Sequence, residues 1–235
     1  VLNPNGYNNN RYMYGGWSNQ GNATHNTVVL NTGAPTLGGT QIYGGFSNNP
    51  SADVITGNTL KVTSKSNSTQ FNNFEKLEFE LNSGIASGDT MLGGQSNVGF
   101  DWSNITVSKA DEWRSGATGT KRVTLYAGNP LTIRNYDPVA TRHVDGDFEY
   151  GLLTDVANSG ASVTANRIYF DVNKFQNGNV APTTSGAGPL YGGTSTLGNT
   201  THHNTVTLSR TWGGDIYGGY TQSTTGDSNY NTLVL

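Results

Sequence analysis

Three stretches of this chain carry residue types whose spacing could do chemistry. In "VDGDFEY" the acids Asp145, Asp147 and Glu149 occupy alternate positions, and side chains two apart on a strand share a face. Pointing one way, they would serve as paired carboxylates of a polysaccharide-cleaving site or as oxygen ligands for calcium. A turn at Gly146 accounts for the same letters, and the run lacks the remaining ligands of an EF-hand loop. The second stretch, "GDSN" at Gly226 to Asn229, partly matches the nucleophile phrase of some serine hydrolases, and a nucleophilic serine needs a base within hydrogen-bond reach. The chain has 4 histidines, His25, His143, His202 and His203. His25 and His203 each stand directly before an Asn-Thr pair, which reads as inheritance within a repeat. The third stretch is the adjacent pair His202-His203, a possible metal chelate; neighbours on a strand point to opposite faces, which argues against a shared metal. The expectation is a non-enzymatic chain with no catalytic set, no firm metal site and no cofactor.

The elements that would have to position such groups announce themselves as repeats. "YMYGGWSNQGNATHNTVVL" (Tyr12 to Leu30), "QIYGGFSNNPSADVITGNTLKV" (Gln41 to Val62), "PLYGGTSTLGNTTHHNTVTL" (Pro189 to Leu208) and "DIYGGYTQSTTGDSNYNTLVL" (Asp215 to Leu235) share one phrase. Aligned on Tyr-Gly-Gly, they bring Tyr14, Tyr43, Tyr191 and Tyr217 into register, each after an aliphatic residue. Asn-Thr and an apolar run follow at Asn26, Asn58, Asn204 and Asn231. A decayed copy sits at "MLGGQSNVGFDWSNITVS", where Leu92 replaces Tyr and Asn104 heads the second strand. Units of this size cannot bury a face alone and must stack on their neighbours, so the pattern predicts an all-β fold, a parallel β-solenoid.

Strand parity follows from Lys61, which must face water. Thr59 is then outward, and Asn58, Leu60 and Val62 are inward, with Asn26, Asn204 and Asn231 in the matching places. An inward Asn repeated once per coil predicts a ladder of amides, each bonding its neighbours above and below. On this reading Asn204→Leu destabilises and Asn199→Ala, in a loop, is near neutral. The Gly-Gly pairs are expected to supply positive φ at coil corners. Trp17, Phe46 and Tyr220 each lie three after the repeat tyrosine. If the strand continues through Gly-Gly, they share the inward aliphatic face and the tyrosines face outward, where they could bind a glycan or a protein surface. If a corner at Gly-Gly reverses the parity, the tyrosines pack inside.

The domain reading is repeats over residues 1–62, larger coils or an inserted irregular β unit over 63–188, and repeats again over 189–235. The middle stretch holds β-like runs at "FNNFEKLEFEL", "RVTLYAG", "PLTIRNY" and "NRIYFDV". Charged residues are only 12% of the 235, and the formal net charge is −3 with no basic run, which excludes the clustered cationic face that nucleic acid needs. The 20 phenylalanines and tyrosines and 4 tryptophans argue against charge-driven disorder. Cysteine is absent, which excludes disulfides and Cys-bearing zinc sites. No apolar run approaches the roughly 20 residues of a membrane helix, so no membrane insertion is expected.

The phrase "FNNFEKLEFELNSGIASGDTMLGG", through Asn73, Phe74, Glu75, Phe79, Gly88, Asp89, Thr90, Met91 and Leu92 and set among the "YGG…NTV.L" copies, resembles segments of large Gram-negative autotransporter adhesin passengers. That resemblance implies a right-handed β-helix displayed on the bacterial cell surface, secreted through a C-terminal barrel, and adhesive. Its partners would be a host-surface protein or glycan, other bacteria, or further copies of itself. A structural subunit of an extracellular filament and a β-helical polysaccharide lyase or hydrolase are the competing classes. The sequence opens without an initiator Met, on "VLN", which reads as the tail of "VVLN" at Val28 to Asn31. It therefore reads as a fragment of a longer passenger, with open end coils expected to associate end to end.

Overall fold

The computed structural model describes residues 12–31, 40–115, 117–222 and 224–235. Val1 and Leu2, read above as the tail of a coil, lie outside these residues. The chain is nearly all β, 52% strand and 4% helix, and forms a parallel β-solenoid of about eight turns. Among the described residues no helix is long and apolar enough to cross a membrane. The fold divides into two compact units, one of Val1–Trp113, Val123–Pro138 and Leu153–Tyr169, the other of Arg114–Arg122, Val139–Leu152 and Phe170–Leu235.

The first unit runs through β1 (Tyr12–Ser18), β2 (Thr27–Leu30), β3 (Gln41–Ser47), β4 (Thr59–Val62), β5 (Ser66–Asn72), β6 (Lys76–Glu80), β7 (Thr90–Ser96), β8 (Phe100–Asp101) and β9 (Ile105–Ser108), with the short α1 (Ala110–Arg114) and then β10 (Lys121–Tyr136). Two parallel ladders result. In one, β2, β4, β6 and β9 stack in order, so that Val28, Leu60, Leu77 and Ile105 form one inward column. Leu30, Val62 and Phe79 form the next, and all of these are buried. The outward positions carry the charges: Lys61 bridges Glu78 at 2.9 Å and Glu80 at 3.1 Å, and Lys109 meets Glu80 at 2.7 Å. These pairs lie on the surface and hold the ladder only weakly, by a few tenths of a kcal/mol each. The apolar columns supply the main driving force, about 25 cal/mol for each Å² removed from water.

In the other ladder β1, β3, β5, β7 and β10 stack in order. Residues of one copy sit directly over those of the next, Met13 on Ile42, Tyr14 on Tyr43 and Trp17 on Phe46. The coils therefore continue where the repeat phrase lapses. The decayed copy supplies β7 and, after a 3₁₀ turn at Trp102–Asn104, β9. Its core is repacked with larger groups: Phe71 lies 6.3 Å from Phe100 and 5.9 Å from Tyr126, and Met91 and Leu92 are fully buried.

The second unit holds the hairpin of β11 (Arg142–Asp145) and most of β12 (Phe148–Thr154), turned at Gly146 with φ 56°, and the end of β13 (Gly160–Lys174). Short strands follow: β14 (Asn179–Val180), β15 (Leu190–Tyr191), β16 (Thr194–Ser195), β17 (Thr201–His202), β18 (Thr205–Thr207), β19 (Ile216–Tyr217), β20 (Tyr220–Thr221), β21 (Ser228–Asn229) and β22 (Thr232–Val234). They stack as β14-β18-β22, β15-β19, β16-β20 and β17-β21, each pair parallel. Much of this interior is small and polar. Thr194, Ser195, Thr201 and Asn204 are buried beside Val206, which places side-chain hydrogen bonds where the first unit has hydrocarbon.

Candidate ligand-binding face

Each Tyr-Gly-Gly copy builds its outer face from its inner one. The inward asparagines are brought together in two pairs, one per unit. Asn26 donates from its backbone N–H (2.8 Å) and its Nδ2 (3.0 Å) to Oδ1 of Asn58. Asn204 repeats the clamp on Asn231, at 3.1 and 2.9 Å. Asn58 and Asn204 are fully buried. The Asn58 amide continues to the carbonyls of Val54 (2.6 Å) and Ala23 (3.0 Å), and in the coil before Asn204 a glycine takes the asparagine's place, Gly178 N–H donating to Asn204 Oδ1 at 2.7 Å.

The glycine pairs make room for these amides and for backbone carbonyls that approach as closely: Gly44 O at Gly15, Asn73 O at Gly44, Ala23 O at Gly45 and Gly218 O at Gly192. A Cβ built on Gly16 would lie 2.5 Å from both Nδ2 and Oδ1 of Asn26, and one on Gly15 would lie 3.1 Å from Asn26 Cβ. Gly44 and Gly45 stand in the same relation to Asn58, Gly192 and Gly193 to Asn204, and Gly218 and Gly219 to Asn231. None of the eight has positive φ, so the expected corner role is corrected. The left-handed position lies elsewhere, directly before the inward residue: His25, Gly57, Asn177, His203 and Tyr230 have φ of 58°, 70°, 54°, 55° and 53°.

Two successive inward positions break the period-2 alternation of a strand. In three of the four copies the residues on either side of Gly-Gly are consequently thrown to the same side, outward; in the fourth, Thr194 after Gly193 is buried. Tyr14, Tyr43, Tyr191 and Tyr217 face solvent, as one of the two parities read from sequence requires. Trp17, Phe46 and Tyr220 do not join the inward face as that parity implied; they lie beside the tyrosines. In the first unit Tyr14 is 5.5 Å from Tyr43 and 5.1 Å from Phe46, Tyr43 meets Phe46 edge-on at 6.0 Å, and Tyr12 packs on Tyr14 and Tyr43 at 6.4 and 6.2 Å. In the second unit Tyr191 stacks on Tyr217 at 5.3 Å and 18°, and Tyr220 packs against both at 5.2 and 5.3 Å. Burial first, then neighbouring Tyr12 and Tyr14, raise the Tyr43 phenol above its ordinary value. The Asp215 carboxylate, followed by burial and Tyr191, raises that of Tyr217. Both hydroxyls stay protonated at neutral pH and can donate.

The acidic trio does not converge. Asp145 pairs with Arg114, whose guanidinium lies over Tyr150 and Phe148 at 4.9 and 5.8 Å. Asp147 accepts from Gln176 Nε2 at 2.9 Å and Asn177 Nδ2 at 3.1 Å. Glu149 is fully buried and accepts from Thr196 N (2.6 Å), Thr196 Oγ1 and Ser195 Oγ (2.8 Å each), Asn199 Nδ2 (3.0 Å) and Asn173 Nδ2 (3.2 Å), with Arg142 Nη2 at 3.4 Å. It pins the 195–199 loop to the hairpin. Asn199 is thus a partner of a buried carboxylate, which corrects its reading as a neutral loop position. Among the described residues no group of three or more His, Asp or Glu is placed to hold a metal ion.

In "GDSN", Ser228 Oγ donates to Gly219 O at 2.9 Å and accepts from Asn231 Nδ2 at 3.1 Å, so the ladder employs it. His202 and His203 do not diverge as a regular strand would make them. Positive φ at His203 turns its ring back, the two Nδ1 atoms lie 2.7 Å apart, and His203 stacks on Tyr230 at 5.6 Å. Comparison with protein-family models, with curated proteins and with solved structures finds no match.

Proposed function

We propose that this chain is an adhesive segment: a β-solenoid stalk of an autotransporter-like passenger on the bacterial cell surface, presenting aromatic faces to host cells, other bacteria or its own copies. One observation carries the reading. In both units the repeat tyrosines face solvent and contact the ring of the adjacent coil, so the repeat itself generates a lateral contact surface of a kind enriched in binding hot spots. The dispersed acids and the structural use of Ser228 favour binding over catalysis.

Beads coated with the purified chain test the proposal against epithelial and bacterial cells. The comparison is a chain carrying Tyr14→Ser, Tyr43→Ser, Tyr191→Ser and Tyr217→Ser, outward changes that leave the inward columns untouched. Adhesion is expected to fall about tenfold or more, the loss of one or two hot-spot contacts. Equal adhesion by both forms, or none above bare beads, overturns the reading. Cleavage of any polysaccharide in a panel, abolished by Asp147→Ala in a folded chain, would put an enzyme in its place.

A further inference from the structure

The two aromatic faces differ in what they leave free, and the difference names a ligand class. In the second unit Tyr191 and Tyr217 cover each other's ring faces, Tyr220 closes on both, and Asp215 Oδ2 stands 3.5 Å from the Tyr217 hydroxyl. What remains there is ring edges, hydroxyls and a negative charge. In the first unit Tyr12 stacks on Tyr14, Tyr14, Tyr43 and Phe46 meet tilted or edge-on, and Trp17, over Phe46 in register, is 56% exposed.

Among the described residues, the strands that carry Trp17 and its stacking partner Phe46 bear no charge: β1 and β3 read YMYGGWS and QIYGGFS, without one Asp, Glu, Lys, Arg or His. The loops after them hold His25 and Asp53, and the Asp53 carboxylate accepts from the Ile55 and Thr56 N–H groups. The loops after β1 and β3 add amides, Asn48 Nδ2 donating to Asn19 Oδ1 and Asn49 Nδ2 to Gln20 O, each at 2.9 Å. Tyr43 donates to Gln41 Oε1 at 2.7 Å. A free indole face, phenol hydroxyls and neutral amides suit a molecule with one apolar face and a rim of hydroxyls. An anionic molecule would give up hydration here with no cationic side chain on β1 or β3 to receive it.

Resting on the adhesive reading above, we infer that the β1–β3 face binds an uncharged glycan, a pyranose C–H face lying on Trp17 with its hydroxyls bonded to the surrounding amides and the Tyr14 and Tyr43 phenols. A protein partner would be expected to use the charged ladder or the second unit as well; a neutral sugar has no reason to.

Tryptophan emission provides the assay, because Trp102 and Trp113 are only 3% and 4% exposed and Trp212 is tied to Gly188 O by its Nε1 at 2.8 Å. The intact chain is titrated with cellotetraose, chitotetraose and a neutral galactan oligomer, and in parallel with tetragalacturonate and sialyllactose. At least one neutral oligosaccharide is expected to give a saturable emission change, binding about tenfold or more tighter than either acidic one. The change is expected to vanish in Trp17→Ala and to persist in Trp212→Phe and in Tyr191→Ser/Tyr217→Ser. Trp17 points outward, so an unchanged urea midpoint certifies the variant as folded, and isothermal titration of that variant reads binding without the indole. Glycan binding retained by Trp17→Ala in that titration overturns the placement, and equal or tighter binding of the acidic sugars overturns the charge reasoning. No glycan binding by a chain whose coated beads still adhere overturns the ligand class while the adhesive reading stands. Loss of both overturns both.

Discussion

Replacing Glu149 by Gln removes one charge from the interior of the second unit while keeping its shape. The carboxylate accepts hydrogen bonds on both oxygens, and its donors are of two kinds. The hydroxyls of Ser195 and Thr196 can rotate to accept, and the Asn199 amide can flip, so a glutamine NH₂ placed at the Oε2 position keeps most of its partners. The Leu197 backbone N–H, 3.4 Å from Oε2, cannot adapt, while the Thr196 N–H and the Arg142 guanidinium keep an oxygen at Oε1 that no longer carries charge. Arg142, with a side chain 6% exposed, would keep a buried charge without its counter-ion. Stripping one partner from a buried pair costs about 3 to 5 kcal/mol, and the retained hydrogen bonds place Glu149→Gln near the lower figure, about 3 kcal/mol. Burial alone would raise the Glu149 pKa; the Thr196, Ser195 and Asn199 donors outweigh it and hold the pKa below the ordinary glutamate range. A folded pKa below the unfolded one stabilises above the unfolded value of about 4.3 and loses that stabilisation as pH falls through the folded value. Urea unfolding is therefore expected to show a wild-type advantage that is constant from about pH 6 to 8 and shrinks below about pH 4. Because solenoid units unfold separately, proteolysis or hydrogen exchange in the 195–199 loop should report it first. A variant within about 0.5 kcal/mol of wild type at pH 7, or a difference that does not shrink as pH falls below about 4, refutes the reasoning.

The ladder and its glycines give two further tests by the same urea assay. Gly193→Ala drives a Cβ to 2.5 Å from Asn204 Nδ2 and should cost about 2 to 3 kcal/mol, whereas Gly213→Ala, whose Cβ would meet nothing closer than 3.7 Å, should be near neutral; equal effects would mean the glycines are not making room for the amide. Asn204→Leu should cost roughly 1 to 3 kcal/mol, since Gly178 N–H would lose its acceptor, Phe175 O its amide donor and Asn231 Oδ1 the Nδ2 donor while keeping the backbone N–H of residue 204; a neutral result would mean the ladder adds nothing to stability.

The solenoid was legible because its two strongest signals are local. Lys61 fixes strand parity in "NTLKV", and the recurrence of Asn-Thr after Tyr-Gly-Gly fixes which residues stack, so the inward columns through Leu60 and Val62 could be read before any coordinates. What could not be read depends on contacts distant in the chain or on a backbone that leaves the regular strand. Glu149 meets its loop partners 46 to 50 residues later, and no spacing rule links them. The rings of His202 and His203 meet because one φ is positive, which the parity rule does not contain. Through the middle of the chain the phrase fades because the core there is filled by Phe71, Phe100 and Tyr126 rather than by a repeated aliphatic residue. The stacking continues, but the letters stop recurring.

The role of Gly-Gly was missed for a more instructive reason. Glycine is read first as a conformational residue, and here it is a volume residue. The buried asparagine and neighbouring backbone carbonyls occupy the space that two successive Cβ atoms would need, so the coil must spend both positions on the inside. A strand that does so cannot alternate, and the side chains flanking the pair leave on the same side. In Tyr14 and Trp17, Tyr43 and Phe46, and Tyr217 and Tyr220, those flanking residues are aromatic; where threonine stands instead, at Thr194, the same position is buried. Core and surface are therefore coupled within a single coil. The asparagine satisfies the stack, the glycines accommodate the asparagine, and the resulting double-inward step lets one coil show two rings on the same outer face. A chain that kept the ladder and changed only the flanking residues would fold alike and present a different outer face, which is how one scaffold can carry Trp17 on one coil and Tyr217 beside Asp215 on another.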